Sequence, residues 1–153
     1  MKEYISLQEE SDTRARSQQL NAKDELSGFL QSMGWDYMLT VTTRKPWHDA
    51  ISLNREVYKS LNRSTAVERA FLCTEPYYLR SGVHVHGLVK VDSKYREFVS
   101  PSNVWQGLFN RFGRSKVDFV RSHEAVAGYC SKYVTKSSGD YYFHGRTDFW
   151  KGD

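Results

Sequence analysis

Residues 82–91 read GVHVHGLVKV and place two histidines, His84 and His86, on either side of one valine. The segment is rich in valine, and in a β-strand successive side chains point to opposite faces of the sheet. One face of this predicted strand carries His84, His86, Leu88 and Lys90. The other carries Val83, Val85, Gly87, Val89 and Val91 and is predicted to face the core. Both imidazoles are therefore predicted to lie on the same side of a sheet.

The segments around this strand predict an α+β fold with one antiparallel sheet and helices packed on it. Strands are predicted over residues 35–46, 70–76, 84–91 and 116–122, and helices over residues 11–33, 49–63, 101–112 and 124–136. The loop at residues 77–82 joins the second and third strands, so that residues 70–91 are predicted to form a β-hairpin. Residues 137–153 form an aromatic tail to which no structure is assigned.

Two histidines on one strand face can bind the same ion, because neutral imidazole is the commonest metal ligand. The alternative is a pair of half-exposed histidines with no shared role. Glu75 is the candidate third ligand, since it ends the strand that pairs with the histidine strand. Its alternative is a solvated acid before a proline. Two histidines and a carboxylate suit Mn²⁺ or Mg²⁺ acting on phosphate oxygens, although these ligands alone do not exclude Zn²⁺.

A second group of functional side chains is predicted on the helix at residues 124–136. Tyr129, Lys132, Tyr133 and Lys136 share a face beside the apolar stripe of Val126, Cys130 and Val134. Tyr129 and Tyr133 are one turn apart, so their hydroxyls are expected to point the same way. Lysines favour a nearby phosphate or phenolate. The alternative is an amphipathic helix with tyrosines at the edge of the core and solvated lysines.

The composition indicates a globular chain of 153 residues, in which 39% are hydrophobic, 14% are aromatic and the net charge is +4. This charge permits a polyanionic partner without identifying one, and the aromatic residues would suit stacking on bases. Cys73 and Cys130 are predicted to be reduced core residues of an intracellular protein. The polar N-terminus predicts no signal peptide, and no stretch reaches the ~20 apolar residues of a membrane span.

These motifs together resemble the HUH endonucleases, a superfamily of rolling-circle replication initiators (Rep proteins) and relaxases named for its His-hydrophobic-His motif. HVH at residues 84–86 matches that motif, and Glu75 matches the third metal ligand of many viral initiators. YCSK at residues 129–132 matches the Tyr-x-x-Lys motif, and MLTVTT at residues 38–43 looks like the first-strand motif. YCSKYVTK also resembles the two-tyrosine branch found in small single-stranded DNA phages, while YCSK alone is equally similar to one-tyrosine initiators.

The resemblance implies a single HUH domain over residues 1–153, with its core at about residues 35–136 and no helicase domain. It implies an RRM-like palm with the histidine strand in the middle of the sheet. Glu75, His84 and His86 would hold Mn²⁺ or Mg²⁺ at the scissile phosphate of single-stranded DNA. Tyr129 would attack that phosphate, Lys132 would orient the site or stabilise charge, and Tyr133 would be a second nucleophile.

The implied partners are single-stranded DNA at a replication origin, often a hairpin, and a separate helicase and polymerase from the host. The expected location is the cytoplasm of the host, or the nucleus if the host is eukaryotic, with no membrane association. Expected DNA contacts are the basic residues Arg44, Lys45, Arg80 and Lys136. Two alternatives stay open: a one-tyrosine single-strand transposase, which typically has Gln in place of the motif lysine, and a non-catalytic single-stranded DNA-binding domain.

Overall fold

The sheet has five strands, and the histidine strand lies in its middle. The computed structural model of the protein describes residues 2–64, 66–135 and 140–145. The strands are β1 (Tyr37–Val41), β2 (Val67–Pro76), β3 (Val83–Val91), β4 (Ser115–Phe119) and β5 (Asp140–Gly145). All neighbours are antiparallel, in the order β4-β1-β3-β2-β5. The predicted α+β fold with a central antiparallel sheet is confirmed.

The helices belong to two compact units. They are α1 (Lys2–Ser32), α2 (Ala50–Ser64), α3 (Pro101–Arg111) and α4 (His123–Cys130), with a 3₁₀ turn at Arg96–Phe98 and a π-helical turn at Ser131–Thr135. One unit holds α1, α4 and the π-helical turn, and the other holds the five strands with α2 and α3. The single domain expected over residues 1–153 stays a prediction.

The core of the sheet unit forms between the valine face of β3 and two helices. Val85, Val89 and Val91 are buried there, as predicted. The helical partners are Leu53, Val57 and Leu61 of α2 with Val104 and Leu108 of α3. The start of each helix is stabilised by a cap, because the Asp49 carboxylate accepts from Ser52 N at 3.1 Å and the Ser100 hydroxyl accepts from Asn103 N at 3.2 Å.

The first helix differs from its prediction, since α1 begins at Lys2 and not at residue 11. Ser11 and Asp12, at the start of the predicted helix, are residue types that often cap helices. The residues before them include Glu, Gln and Leu, which are good helix formers, and nothing there interrupts the helix. Ser11 and Asp12 therefore lie within the helix and not at its start.

The predicted helix at residues 124–136 changes character after Cys130, and a continuous α-helix beyond that residue is wrong. The chain is π-helical from Ser131 to Thr135, a segment in which Ser131, Val134 and Thr135 have lower helix propensity than alanine or leucine. The apolar stripe of Val126, Cys130 and Val134 is buried as predicted. Lys136 lies outside the residues that the structure describes.

Part of the C-terminal tail forms the edge strand β5, which pairs with residues 69–74 of β2. On one face of β5, the rings of Tyr141 and Phe143 lie 5.6 Å and 5.2 Å from the ring of Phe71. On the other face, the His144 imidazole stacks on Tyr58 of α2 with ring centres 4.4 Å apart. The tail therefore completes the sheet on the β2 side.

Candidate metal centre

The hairpin of β2 and β3 brings the three predicted ligands to one face of the sheet. In the strand register Glu75 lies directly opposite His84, and Cys73 lies opposite His86. Directly opposed residues in an antiparallel pair point to the same face, with Cβ atoms about 4.5–5.5 Å apart. The loop at residues 77–82 sets this register, so the hairpin itself positions a carboxylate beside two imidazoles.

The ligand atoms of these residues form a compact group. One donor atom each from Glu75, His84 and His86 lies within 4.8 Å of the others. Glu75 Oε1 is 3.7 Å from His84 Nε2, and the two imidazole centres are 4.6 Å apart with their planes at 80°. His86 is 7% exposed, whereas the other two are half-buried. The Glu75 side chain is the most exposed of the three, at 32%, whereas the Nε2 atom of His84 is buried.

This donor set fits one metal ion. Ligands that bind one ion at about 2.1 Å lie no more than about 4.2 Å apart, so small side-chain rotations would close a 4.8 Å group. Two nitrogens and a carboxylate leave coordination positions open for substrate or water. Glu75, His84 and His86 can therefore hold a metal ion.

Two neighbouring side chains orient the imidazoles. Thr40 Oγ1 of β1 lies 3.1 Å from His86 Nδ1. When Nδ1 carries the proton and donates to this hydroxyl, the Nε2 lone pair of His86 is available to a metal. The ring of Tyr77 contacts His84 edge to face, with ring centres 4.6 Å apart. Sequence reasoning missed both residues, because the order of the strands and the path of the loop decide these contacts.

The buried thiol of Cys73 lies beside the three ligands on the same face. Burial, together with the nearby charges of Glu75 and Asp140, raises the pKa of Cys73 to about 12. The prediction that Cys73 and Cys130 are buried thiols is confirmed. The compact group of donor atoms consists of the Glu75 carboxylate and the two imidazoles.

The two candidate nucleophiles lie together where α4 continues into the π-helical turn. The ring centres of Tyr129 and Tyr133 are 5.0 Å apart, and Lys132 Nζ lies 5.1 Å from the centre of the Tyr133 ring. Tyr129 is 3% exposed, Tyr133 is half-buried and Lys132 is exposed. The two rings therefore lie side by side, with Lys132 beside the second, and the roles of these residues stay predictions.

Of the four basic residues predicted to bind DNA, two have well-defined contacts within the protein. Arg80 lies 3.9 Å above the Tyr77 ring and donates to the Thr43 carbonyl at 3.2 Å. Arg44 donates to the Phe109 carbonyl at 2.7 Å, near the C-terminal end of α3. Lys45 is exposed, and Lys136 is not among the described residues. Arg80 therefore supports the residue that contacts His84.

No family model, no curated protein and no solved structure matches this chain. The resemblance to the HUH endonucleases therefore stays a prediction, which depends on the residues named above. Among the residues that the structure describes, no helix is both long enough and apolar enough to span a membrane.

Proposed function

We propose that this protein is a metal-dependent endonuclease that nicks and rejoins single-stranded DNA through a covalent phosphotyrosine intermediate. Its cellular role would be to initiate, and to terminate, rolling-circle replication of a viral or plasmid genome. The observation that carries the proposal is the convergence of Glu75, His84 and His86 on one face of the hairpin. Phosphodiester transfer needs a nucleophile and a group that stabilises charge on the phosphate. A tyrosine hydroxyl and a metal ion can supply these two functions.

The metal ligands would hold Mn²⁺ or Mg²⁺. When bound, such an ion supplies positive charge that stabilises the charge developing on a scissile phosphate. Thr40 supports this role because its hydroxyl lies 3.1 Å from His86 Nδ1 and keeps the ring in one orientation. The ring of Tyr77 contacts the other imidazole, that of His84, in a T-shaped arrangement.

The tyrosines would supply the nucleophile. Tyr129 Oη attacks the phosphorus, a bond forms between them, and the bond from phosphorus to the 3′ oxygen breaks. The 3′ oxygen leaves with the electron pair and takes a proton to become a 3′-OH, while the tyrosine hydroxyl loses its proton. The 5′-phosphotyrosine product keeps a high-energy ester, so that rejoining needs no ATP. Tyr133, whose ring centre is 5.0 Å from that of Tyr129, would attack in the second transfer.

The decisive experiment is detection of the covalent intermediate. A pool of single-stranded oligonucleotides of random sequence, labelled at the 3′ end, is incubated with the protein and Mn²⁺ or with EDTA. The label is expected to migrate with the protein on a denaturing gel in Mn²⁺ and not in EDTA. Sequencing the attached DNA would give the cleavage site, and mass spectrometry would identify the modified tyrosine. DNA binding without any metal-dependent adduct would favour the alternative of a binding domain.

Substitution of the tyrosines tests their separate roles. We expect Tyr129→Phe to abolish the first cleavage and to leave DNA binding intact. Tyr133→Phe should retain cleavage and lose strand transfer, measured with a second oligonucleotide as acceptor. The control is Tyr95→Phe at an exposed tyrosine beyond β3. Full cleavage by Tyr129→Phe would refute its assignment, and normal strand transfer by Tyr133→Phe would indicate a one-tyrosine enzyme, as in the transposase alternative.

The metal centre can be tested without DNA. Titration calorimetry with MnCl₂ should give one site per chain, and Glu75→Gln should weaken binding because an amide replaces the charged ligand. The control is Glu97→Gln, which removes an exposed acid in the 3₁₀ turn. Equal binding by both variants would show that Glu75 is not a ligand.

A further inference from the structure

A cavity with aromatic and cationic walls lies at the end of the sheet where β3 begins. Its volume is about 300 Å³, at the lower end of the range for ligand pockets in proteins. Its walls come from the segment between β1 and α2 and from the C-terminal end of α3. They are lined by Thr43, Arg44, Lys45, Trp47, Arg111 and Phe112.

The walls combine flat groups with positive charge. The Arg111 guanidinium lies 5.6 Å from the Trp47 ring centre and 5.1 Å from that of Phe112. An ion pair with Glu56, at 3.7 Å, helps to hold it there. Phe112 is buried, whereas about half of Arg111 is exposed, and Lys45 is also exposed at the rim. Such a cavity suits a ligand that has a planar ring and an anionic group.

The cavity is one aromatic ring away from the candidate metal centre. Thr43, which lines the cavity, donates its backbone N–H to Tyr77 Oη at 3.4 Å. The ring of Tyr77 in turn contacts His84. The Trp47 carbonyl accepts from Val83 N at 2.8 Å, which ties the cavity wall to the first residue of the histidine strand. A ligand in the cavity would therefore lie close to a phosphate at the metal ligands.

We infer that this cavity binds one unpaired nucleotide of single-stranded DNA, next to the phosphate that is cleaved. The inference rests on the proposed function and adds a site for the substrate. The base would stack on Trp47 and the Arg111 guanidinium, and Lys45 would contact its phosphate. A base in a duplex is already stacked and paired, so the cavity would favour single strands and would position the neighbouring phosphate. Arg44, whose guanidinium donates a hydrogen bond to the Phe109 carbonyl of α3, forms part of the cavity wall.

The test measures binding of a labelled 20-residue oligothymidylate by fluorescence anisotropy in EDTA, where no cleavage occurs. Trp47→Leu keeps an apolar side chain and removes the stacking surface. We expect it to weaken binding about 5- to 150-fold, the range for loss of one base–aromatic contact. The matched control is Trp105→Leu on α3, which removes a partly exposed indole outside the cavity. Equal affinities for Trp47→Leu and the unmodified protein, or equal losses in the two variants, would overturn the inference.

The salt dependence of binding tests the phosphate contact separately. For single strands, each neutralised phosphate contributes about −0.7 to the slope of log K against log salt concentration, so Lys45→Gln should make the slope shallower by about 0.7. The control is Lys94→Gln, an exposed lysine in the turn that follows β3 at the other end of the sheet. Identical slopes for Lys45→Gln and the unmodified protein would remove Lys45 from the site.

The position of the bound nucleotide follows from oligonucleotides that each lack one base. The unmodified protein should lose affinity at one abasic position beside the cleaved phosphate, and Trp47→Leu should be insensitive there. Thermal unfolding of Trp47→Leu shows whether the variant is folded. A covalent adduct without any effect specific to Trp47 would refute nucleotide binding in the cavity and leave the proposed nuclease activity standing. An effect of Trp47→Leu on binding without any adduct would refute the nuclease activity and leave nucleotide binding in the cavity standing.

Discussion

His144 is expected to make the stability of this protein depend on pH. Its imidazole stacks on Tyr58, and its Nε2 donates to the Asn54 side chain, whose amide donates to the Leu72 carbonyl at 3.2 Å. Burial lowers the pKa of His144 from 6.5 to about 4. Between these two values the unfolded chain binds a proton that the folded protein does not bind. Stability therefore falls as the pH falls, and it is fully retained above pH 6.5.

The size of the effect follows from these two pKa values. The full loss of about 3 kcal/mol, at 1.36 kcal/mol for each unit of pKa difference, is reached below pH 4, where His144 is protonated in both the folded and the unfolded chain. Between pH 7.5 and pH 5 the expected loss is about 2 kcal/mol. Urea unfolding at a series of pH values measures it. His144→Gln retains a donor for Asn54 and cannot be protonated, so its stability should lose this component of the pH dependence.

Carboxylates also titrate in this pH range. The contribution of His144 is therefore measured as the difference in free energy of unfolding between the unmodified protein and His144→Gln. The matched control is His48→Gln, which removes an exposed histidine and leaves the Tyr58 contact unchanged. We expect this variant to follow the unmodified protein. Parallel curves for His144→Gln and the unmodified protein between pH 7.5 and pH 5 would refute the argument that the imidazole is buried in its neutral form.

Three further predictions concern single side chains. Thr40→Val removes the hydroxyl beside His86 and should weaken Mn²⁺ binding about 10-fold, as measured by calorimetry. Unchanged Mn²⁺ affinity would show that the hydroxyl does not orient the His86 imidazole. Gly87→Ala would place a Cβ only 2.4 Å from Leu72 Cδ2 and should reduce the free energy of unfolding by about 1–3 kcal/mol. Gly28→Ala on α1 meets no atom within 4 Å and should raise it by about 0.5–1 kcal/mol, so that a loss there would contradict the packing.

The features of the fold that depend on residues close together in the sequence could be predicted. The alternation in GVHVHGLVKV identified the faces of β3, because side chains in a strand alternate regardless of its partners. The pairing of Glu75 with His84 was also accessible, since a short loop joins the two strands. The metal ligands are therefore the most predictable part of the site.

The strand pairings and side-chain contacts that join residues far apart in the sequence could not be predicted. β5 pairs residues 140–145 with residues 69–74, and nothing within the tail specifies that partner. The contact of Thr40 with His86 requires β1 to lie beside β3, which is a property of the sheet and not of either segment. The π-helical turn was missed for another reason, because the spacing of Tyr129 and Tyr133 fits an α-helix equally well.

The position of all three metal ligands on one hairpin has a consequence for folding. Closing a short loop costs little chain entropy, and contacts that are close in sequence form early. Residues 75–86 can therefore form their ligand group before the β4 and β5 strands join the sheet. A slip of one residue would turn every side chain of a strand to the opposite face and would separate the ligands. A metal ion that binds during folding would select the hairpin with the native register over its misaligned competitors.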